Sequence, residues 1–196
     1  MCRFLLFLAV LGAGCSSVYV LGDWKSGQTV DHRLYSVVAP IAPRGEDDLW
    51  TWRTDSPKSD ALYLYRKWGP IEPGKLVIHK AAVTVAGRRS AIKTAVELQK
   101  YVEDGGMEGV LFPGTTVVQT SQTNLLCVRP PLYREVTPED ARGHFVYIMA
   151  CVDTKTRFHY ELFAIEDVVN KDKTTPEPSR SLEVWAARFF DSFRVK

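Results

Sequence analysis

Two apolar runs late in the chain, residues 143–152 and 157–165, flank the turn-forming segment Asp153-Thr-Lys-Thr156 and predict a β-hairpin. With Thr154-Lys155 as a two-residue turn, Cys151 faces Phe158, Met149 faces Tyr160 and Tyr147 faces Leu162. That face is apolar from end to end. The opposite face is divided: Arg157, His159 and Glu161 make its turn end polar, while Val146, Ile148, Phe163 and Ile165 make its far end apolar. A sheet packed on one side needs only one apolar face, so this far end demands a second cover. A helix is the natural one. Residues 179–193, after a loose connector, offer a candidate with Leu182, Trp185, Ala186, Phe189 and Phe193 on one side.

The preceding chain reads as further strands and one more helix. Residues 31–39 are a strand ended by Pro40, Pro43 and Gly45, followed by the charged turn Glu46-Asp47-Asp48. Residues 49–53 and 61–68 are short strands, the first with Trp50 and Trp52 on one face, the second with Tyr63 and Tyr65 opposite Leu62 and Leu64. The loop Gly69-Pro-Ile-Glu-Pro-Gly74 leads into a strand over 76–85. Over 90–103 the period changes: Ala91, Ala95, Leu98 and Val102 form one stripe of a helix, stopped by Gly105-Gly106. Residues 115–120 and 124–129 predict a hairpin closed by Pro130-Pro131, and Thr137-Pro-Glu-Asp140 a short helical turn. Strands in runs with two separate helices indicate an α+β fold, an antiparallel sheet flanked by helices that closes with a C-terminal hairpin and a C-terminal helix.

Composition narrows the function classes. The 196 residues, 45% hydrophobic and 24% charged, suit one globular domain. The net charge is +2 and no basic stretch stands out, which gives neither a nucleic-acid footprint nor a polybasic membrane contact. No nucleophile elbow, metalloprotease helix, phosphate-binding glycine loop or dinucleotide fingerprint is present. His32, His79, His144 and His159 are scattered; the hairpin register sets His159 opposite Ala150 and His144 opposite Ile165. His159 and Glu161, two apart on a strand, read as a solvated edge rather than a base with its orienter. Arg88-Arg89 reads as a solvated turn. No cofactor or metal is expected. The aromatic cluster Trp50, Trp52, Tyr63, Tyr65 and Trp68 reads as core packed under the 90–103 helix. The alternative is a stacking groove for glycan or peptide, edged by Trp50, Trp52 and Trp68.

The N-terminus carries an address. Arg3 precedes an apolar run over 4–10, and small residues then lead to Cys15-Ser-Ser17, the pattern of a secretory signal. With Leu11, Ala13, Gly14 and Cys15, the segment resembles the lipobox of bacterial lipoproteins. The resemblance implies removal of residues 1–14, lipidation of Cys15, a tether over 15–30 and a single domain over 31–196. Ser16 stands where an Asp would retain the protein in the inner membrane, which implies the periplasmic side of the outer membrane. Ordinary cleavage, or an uncleaved membrane helix within the uncharged stretch 4–21, are the alternatives. Lipoprotein processing leaves Cys127 and Cys151. In an oxidising compartment they form a plausible disulfide, closing a loop of about 25 residues worth about 3 kcal/mol; two buried thiols are the alternative. Neither has a Cys or His at metal-ligand spacing.

Tyr35-Ser-Val-Val-Ala-Pro40, the 143–165 hairpin and Ala187-Arg-Phe-Phe-Asp-Ser-Phe193 together resemble the PsbP-like family. The resemblance implies a sheet sandwiched between helices, a fold that is not itself catalytic, and a role in assembly or binding. The expectation is thus a membrane-tethered, non-catalytic lipoprotein that binds a protein partner or supports an envelope complex. A small-ligand or cell-wall glycan binder is the alternative, and an enzyme whose site the sequence does not group is a third.

Overall fold

The computed structural model describes residues 19–41, 49–54, 61–66, 69–72, 74–107 and 109–196. The fold is α+β, mostly antiparallel sheet with two helices. Numbered along the chain, the strands of the main sheet follow the order β1 (Tyr19–Lys25), β4 (Leu49–Thr54), β5 (Leu62–Arg66), β7 (Lys75–Arg88), β12 (Phe158–Asn170), β11 (Arg142–Asp153), β9 (Leu125–Arg129), β8 (Thr116–Val118). β6 (Gly69–Glu72) pairs with β7, and β10 (Tyr133–Thr137) with β11. β2 (Thr29–Asp31), β3 (Tyr35–Val38) and β13 (Arg194–Val195) form a second, smaller sheet. The helices are α1 (Ala95–Glu103) and α2 (Leu182–Asp191).

β11 and β12 pair along almost their whole length near the middle of the main sheet. Their register differs from the sequence expectation by two residues: Cys151 faces Tyr160, Met149 faces Leu162 and Tyr147 faces Ala164. The turn explains it. A two-residue hairpin turn of the favoured type needs left-handed backbone at both central positions, which a β-branched Thr154 resists. Instead Asp153 accepts the backbone N–H of Lys155 at 3.1 Å and of Thr156 at 3.2 Å, and Arg157 takes the single left-handed position at φ 65°. A two-residue shift preserves the parity of every side chain, so each face keeps its members. It does change partners: His159 lies opposite Val152, and His144 opposite Asp167.

Each face has its own helix, and the pairing is the reverse of the one expected. α2 covers the face that is apolar throughout. Leu182, Trp185, Ala186 and Phe189 cluster with Phe145, Met149, Cys151, Tyr160 and Leu162. α1 covers the divided face, where Leu98 and Val102 cluster with Val128, Val146, Ile148 and Ala150. Ala150 and Cys151, consecutive in β11, therefore belong to different cores. The smaller sheet completes the α2 side. Tyr35 packs its ring 5.6 Å from Phe193 and 6.1 Å from Tyr160, and Ser192 Oγ accepts the Val38 N–H at 2.9 Å.

Several boundaries move. α1 starts at Ala95, not near 90, because Thr94 caps it: Thr94 Oγ1 accepts the Glu97 N–H, and the Glu97 carboxylate accepts the Thr94 N–H. Gly105, at φ 87°, follows the helix in the left-handed conformation that a side chain resists. The stretch 18–30, expected as tether, contains β1 and β2, and the expected strand over 31–39 divides between β2 and β3. The expected loop at 69–74 contains β6, and β10 extends the line of β9 along β11 past Pro130-Pro131. The signal segment, Cys15, the charged turn at 46–48 and Trp68 lie outside the described residues.

Cys127 and Cys151 face each other across β9 and β11, both buried, with their sulfurs bonded at 2.07 Å. The link spans 24 residues of sequence, so the chain-entropy model assigns it about 3 kcal/mol. Urea unfolding of a Cys127→Ala/Cys151→Ala variant should show a loss of at least that size, and an unchanged midpoint would contradict it.

Candidate functional site

The sequence nominated three tryptophans for a ligand groove, and the structure withdraws Trp50 from it. Trp50 is wholly buried, with its ring 6.2 Å from Trp185 of α2. Its indole N–H is satisfied internally, donated to Pro40 O at 2.8 Å. It is a core residue, packed beneath α2 rather than beneath α1 as expected. Trp52 follows on the same strand, its backbone paired with Gly22 and Leu64, and its side chain lies outside the described residues, as does all of Trp68.

Three polar clusters remain, all built on the central strands. On the α2 side, Glu166 of β12 is fully buried between Ala164 and Val168. It accepts the Ser179 N–H at 2.7 Å and the Ser179 hydroxyl at 2.6 Å, tying the connector before α2 to the sheet. His79 Nε2 of β7 approaches its other side at 3.3 Å, without hydrogen-bond alignment. Burial works to raise the Glu166 carboxyl, but the His79 approach and the two bonds from Ser179 outweigh it and hold it below the ordinary range. Glu, His and Ser meet here without forming a nucleophilic relay. The Ser179 hydroxyl donates to a carboxylate held below its ordinary range, a weak base, and His79 contacts Glu166 rather than that hydroxyl.

On the α1 side, Asp167 binds Lys80 Nζ at 2.6 Å and His144 Nδ1 at 2.5 Å, making a partly exposed row across β7, β12 and β11. Burial raises the Asp167 carboxyl, and His144 and Lys80 more than offset this. At the turn end of the same face lies His159, expected at a solvated edge and found with no exposed surface. Glu161 Oε1 lies 3.7 Å from its Nδ1, too far for a hydrogen bond, and neither ring nitrogen has a hydrogen-bond partner. The Tyr101 ring meets it edge-on at 5.8 Å. Burial, aided by the charge of Arg89, pushes the imidazole down to about 4.

Among the described residues no three His, Cys, Asp or Glu side chains are grouped to hold a metal ion. The Glu166 cluster ties the connector before α2 to the sheet, and the Asp167 row bridges strands within it. One of them was open to sequence reasoning: Glu166 falls in phase with Ala164 and Val168 on a dry face, where a carboxylate demands partners. Its partners His79 and Ser179 come from another strand and a loop, and no spacing points to them. No protein-family model matches the chain, and no curated protein is significantly similar to it in sequence.

Trp50→Ala should cost about 3–5 kcal/mol in urea unfolding, the range for emptying a buried aromatic site. A stable variant would return Trp50 to the groove. The buried histidine sets a pH window. The unfolded chain takes up a proton near pH 6.5 while folded His159 stays neutral down to about 4, so stability should fall by about 3 kcal/mol across that interval. His159→Leu should remove this slope in thermal melts. Below about pH 4.5 a second loss should appear, as the unfolded chain protonates Glu166 before the folded chain does; Glu166→Gln should suppress it.

Proposed function

We propose that the chain is a membrane-tethered extracytoplasmic lipoprotein, lipidated at Cys15, whose domain is non-catalytic and binds a protein partner or supports an envelope complex. The periplasmic side of the outer membrane is its place. The observation that carries the reading is the buried Cys127–Cys151 bond, because structural disulfides belong to oxidising compartments, and residues 3–17 carry the pattern of export and lipidation.

Two further features support it. Glu166 is engaged in tying the connector before α2 to the sheet, and Asp167 in pairing with Lys80 and His144 across the strands, which favours a structural role for these groups. A sheet with a helix on each face, and the sequence Ala187-Arg-Phe-Phe-Asp-Ser-Phe193 closing α2, favours the PsbP-like arrangement of assembly and binding factors. The glycan-binding alternative loses weight with the burial of Trp50.

Cys15→Ala should abolish acyl labelling in cells and release the domain from the membrane or leave it unprocessed; unchanged labelling would reject the address. Crosslinking in intact envelopes should recover one stoichiometric protein partner, and a clean failure to do so would reject the binding role.

A further inference from the structure

The end of the main sheet that holds the β11–β12 turn gathers cations that the sequence scatters over 88–157. Arg88 closes β7 opposite Phe158, with its guanidinium 5.1 Å over that ring. The Arg89 N–H donates to Arg157 O at 2.8 Å, and Arg157 Nη1 reaches Ile92 O at 3.2 Å, next to Lys93. Lys155 sits in the turn itself. Arg88, Lys93 and Lys155 are exposed, and Arg89 and Arg157 half-buried. The ion pairs of lysine and arginine among the described residues engage Lys80, Lys100, Arg134 and Lys196 instead. Three carboxylates share this end, Asp153 and Glu161 buried and Glu97 accepting the N–H groups of Lys93 and Thr94, against five cations, so the end is net basic. The opposite end of the hairpin is mixed, with Arg142, Lys171 and Lys173 set among Glu139, Asp140 and Asp172. On a chain of net charge +2, the basic end is a local concentration.

β1 starts on the side of the sheet that faces this end. Val20 lies beside Arg53, Arg53 beside Tyr63, Tyr63 beside Ala82 and Ala82 beside Phe163. From that row β7 runs on to Arg88 and β12 runs back to Phe158, towards the side from which the chain enters β1. Residues 16–18 alone separate Cys15 from Tyr19, a reach of about 14 Å at full extension.

We propose that the β11–β12 turn end is a docking surface for an anionic phospholipid bilayer, with Arg88, Arg89, Lys93, Lys155 and Arg157 facing headgroup phosphates. The orientation argument rests on the lipid-anchor reading: so short a link keeps the side of the sheet from which β1 starts, which is the side towards the turn end, near the bilayer. Anionic headgroups attract each basic residue within a Debye length, about 10 Å, by roughly fivefold in binding. The surface is read from charge and chain geometry, and no deep pocket is needed.

The test uses the full chain carrying Cys15→Ala, so that no acyl group contributes, in cosedimentation with phosphatidylcholine vesicles and with vesicles containing phosphatidylglycerol. Residues 1–14 carry Arg3 and the terminal amine, whose own anionic preference is the same in both triple variants and cancels when these are compared. The chain should prefer the anionic vesicles, and the preference should fade with added salt. Arg88→Gln/Lys93→Gln/Lys155→Gln, all exposed positions, should cut the preference about a hundredfold with an unchanged thermal midpoint. Arg142→Gln/Lys171→Gln/Lys173→Gln at the other end should leave it intact. Equal binding to both vesicles, or equal losses in the two triple variants, would overturn the proposal. Acyl labelling of the unaltered chain separates the two readings: labelling without an anionic preference keeps the anchor and removes the surface, and the converse keeps the surface and removes the anchor.

Discussion

The β11–β12 hairpin must be dry on both sides, and the architecture follows from that. One face, carrying Phe145, Met149, Cys151, Tyr160 and Leu162, is closed by α2; the other, carrying Val146, Ile148 and Ala150, by α1. At about 25 cal/mol per Å² of apolar surface removed from water, neither cover is optional for strands of this length. The remaining devices hold the covers in place. Cys127–Cys151 bonds the hairpin to β9, on which α1 rests, and Glu166 fixes the connector that delivers α2.

A sheet enclosed on both faces leaves its ends and edges for chemistry with the outside. The buried titratable groups are of little use to a substrate: His159 is enclosed beneath Tyr101, and Glu166 spends its oxygens on Ser179 and His79. Charge does reach solvent at both ends of the hairpin, basic at the turn and mixed at the other.

The sequence made the faces of the hairpin legible because strand parity depends only on alternation, and it made α2 legible through its stripe of large apolar residues. It also offered the Cys127–Cys151 pair, though not the choice between bridge and free thiols. Register was less accessible. It turned on Asp153 bonding back to its own turn, a side-chain decision that the alternation of the strands does not record. β6 and β10 were hidden by flanking prolines, which read as loop even where short edge strands tolerate them. The start of α1 was readable in Thr94-x-x-Glu97 and was obscured by Ala91, which extends the apolar stripe one turn too far. Trp50 was ambiguous because a ring in the core and a ring on a platform have the same sequence. The basic end was only half legible: Arg88-Arg89 read as a turn of its own, and Lys155 and Arg157 join it only through pairing of β7 with β12.

The orientation of the hairpin relative to a membrane is the claim on which the functional account turns. On the proposed lipoprotein reading, processing at Cys15 and the Cys127–Cys151 bond would leave the mature chain without a free thiol, so that a single spin label could be placed at Lys155→Cys or at Lys173→Cys. With the acylated protein on phosphatidylglycerol-containing vesicles, the account predicts that the label at 155 is close to the bilayer and shielded from a water-soluble relaxation agent, while the label at 173 is fully accessible. Equal accessibility at the two ends, or shielding at 173 alone, would contradict it.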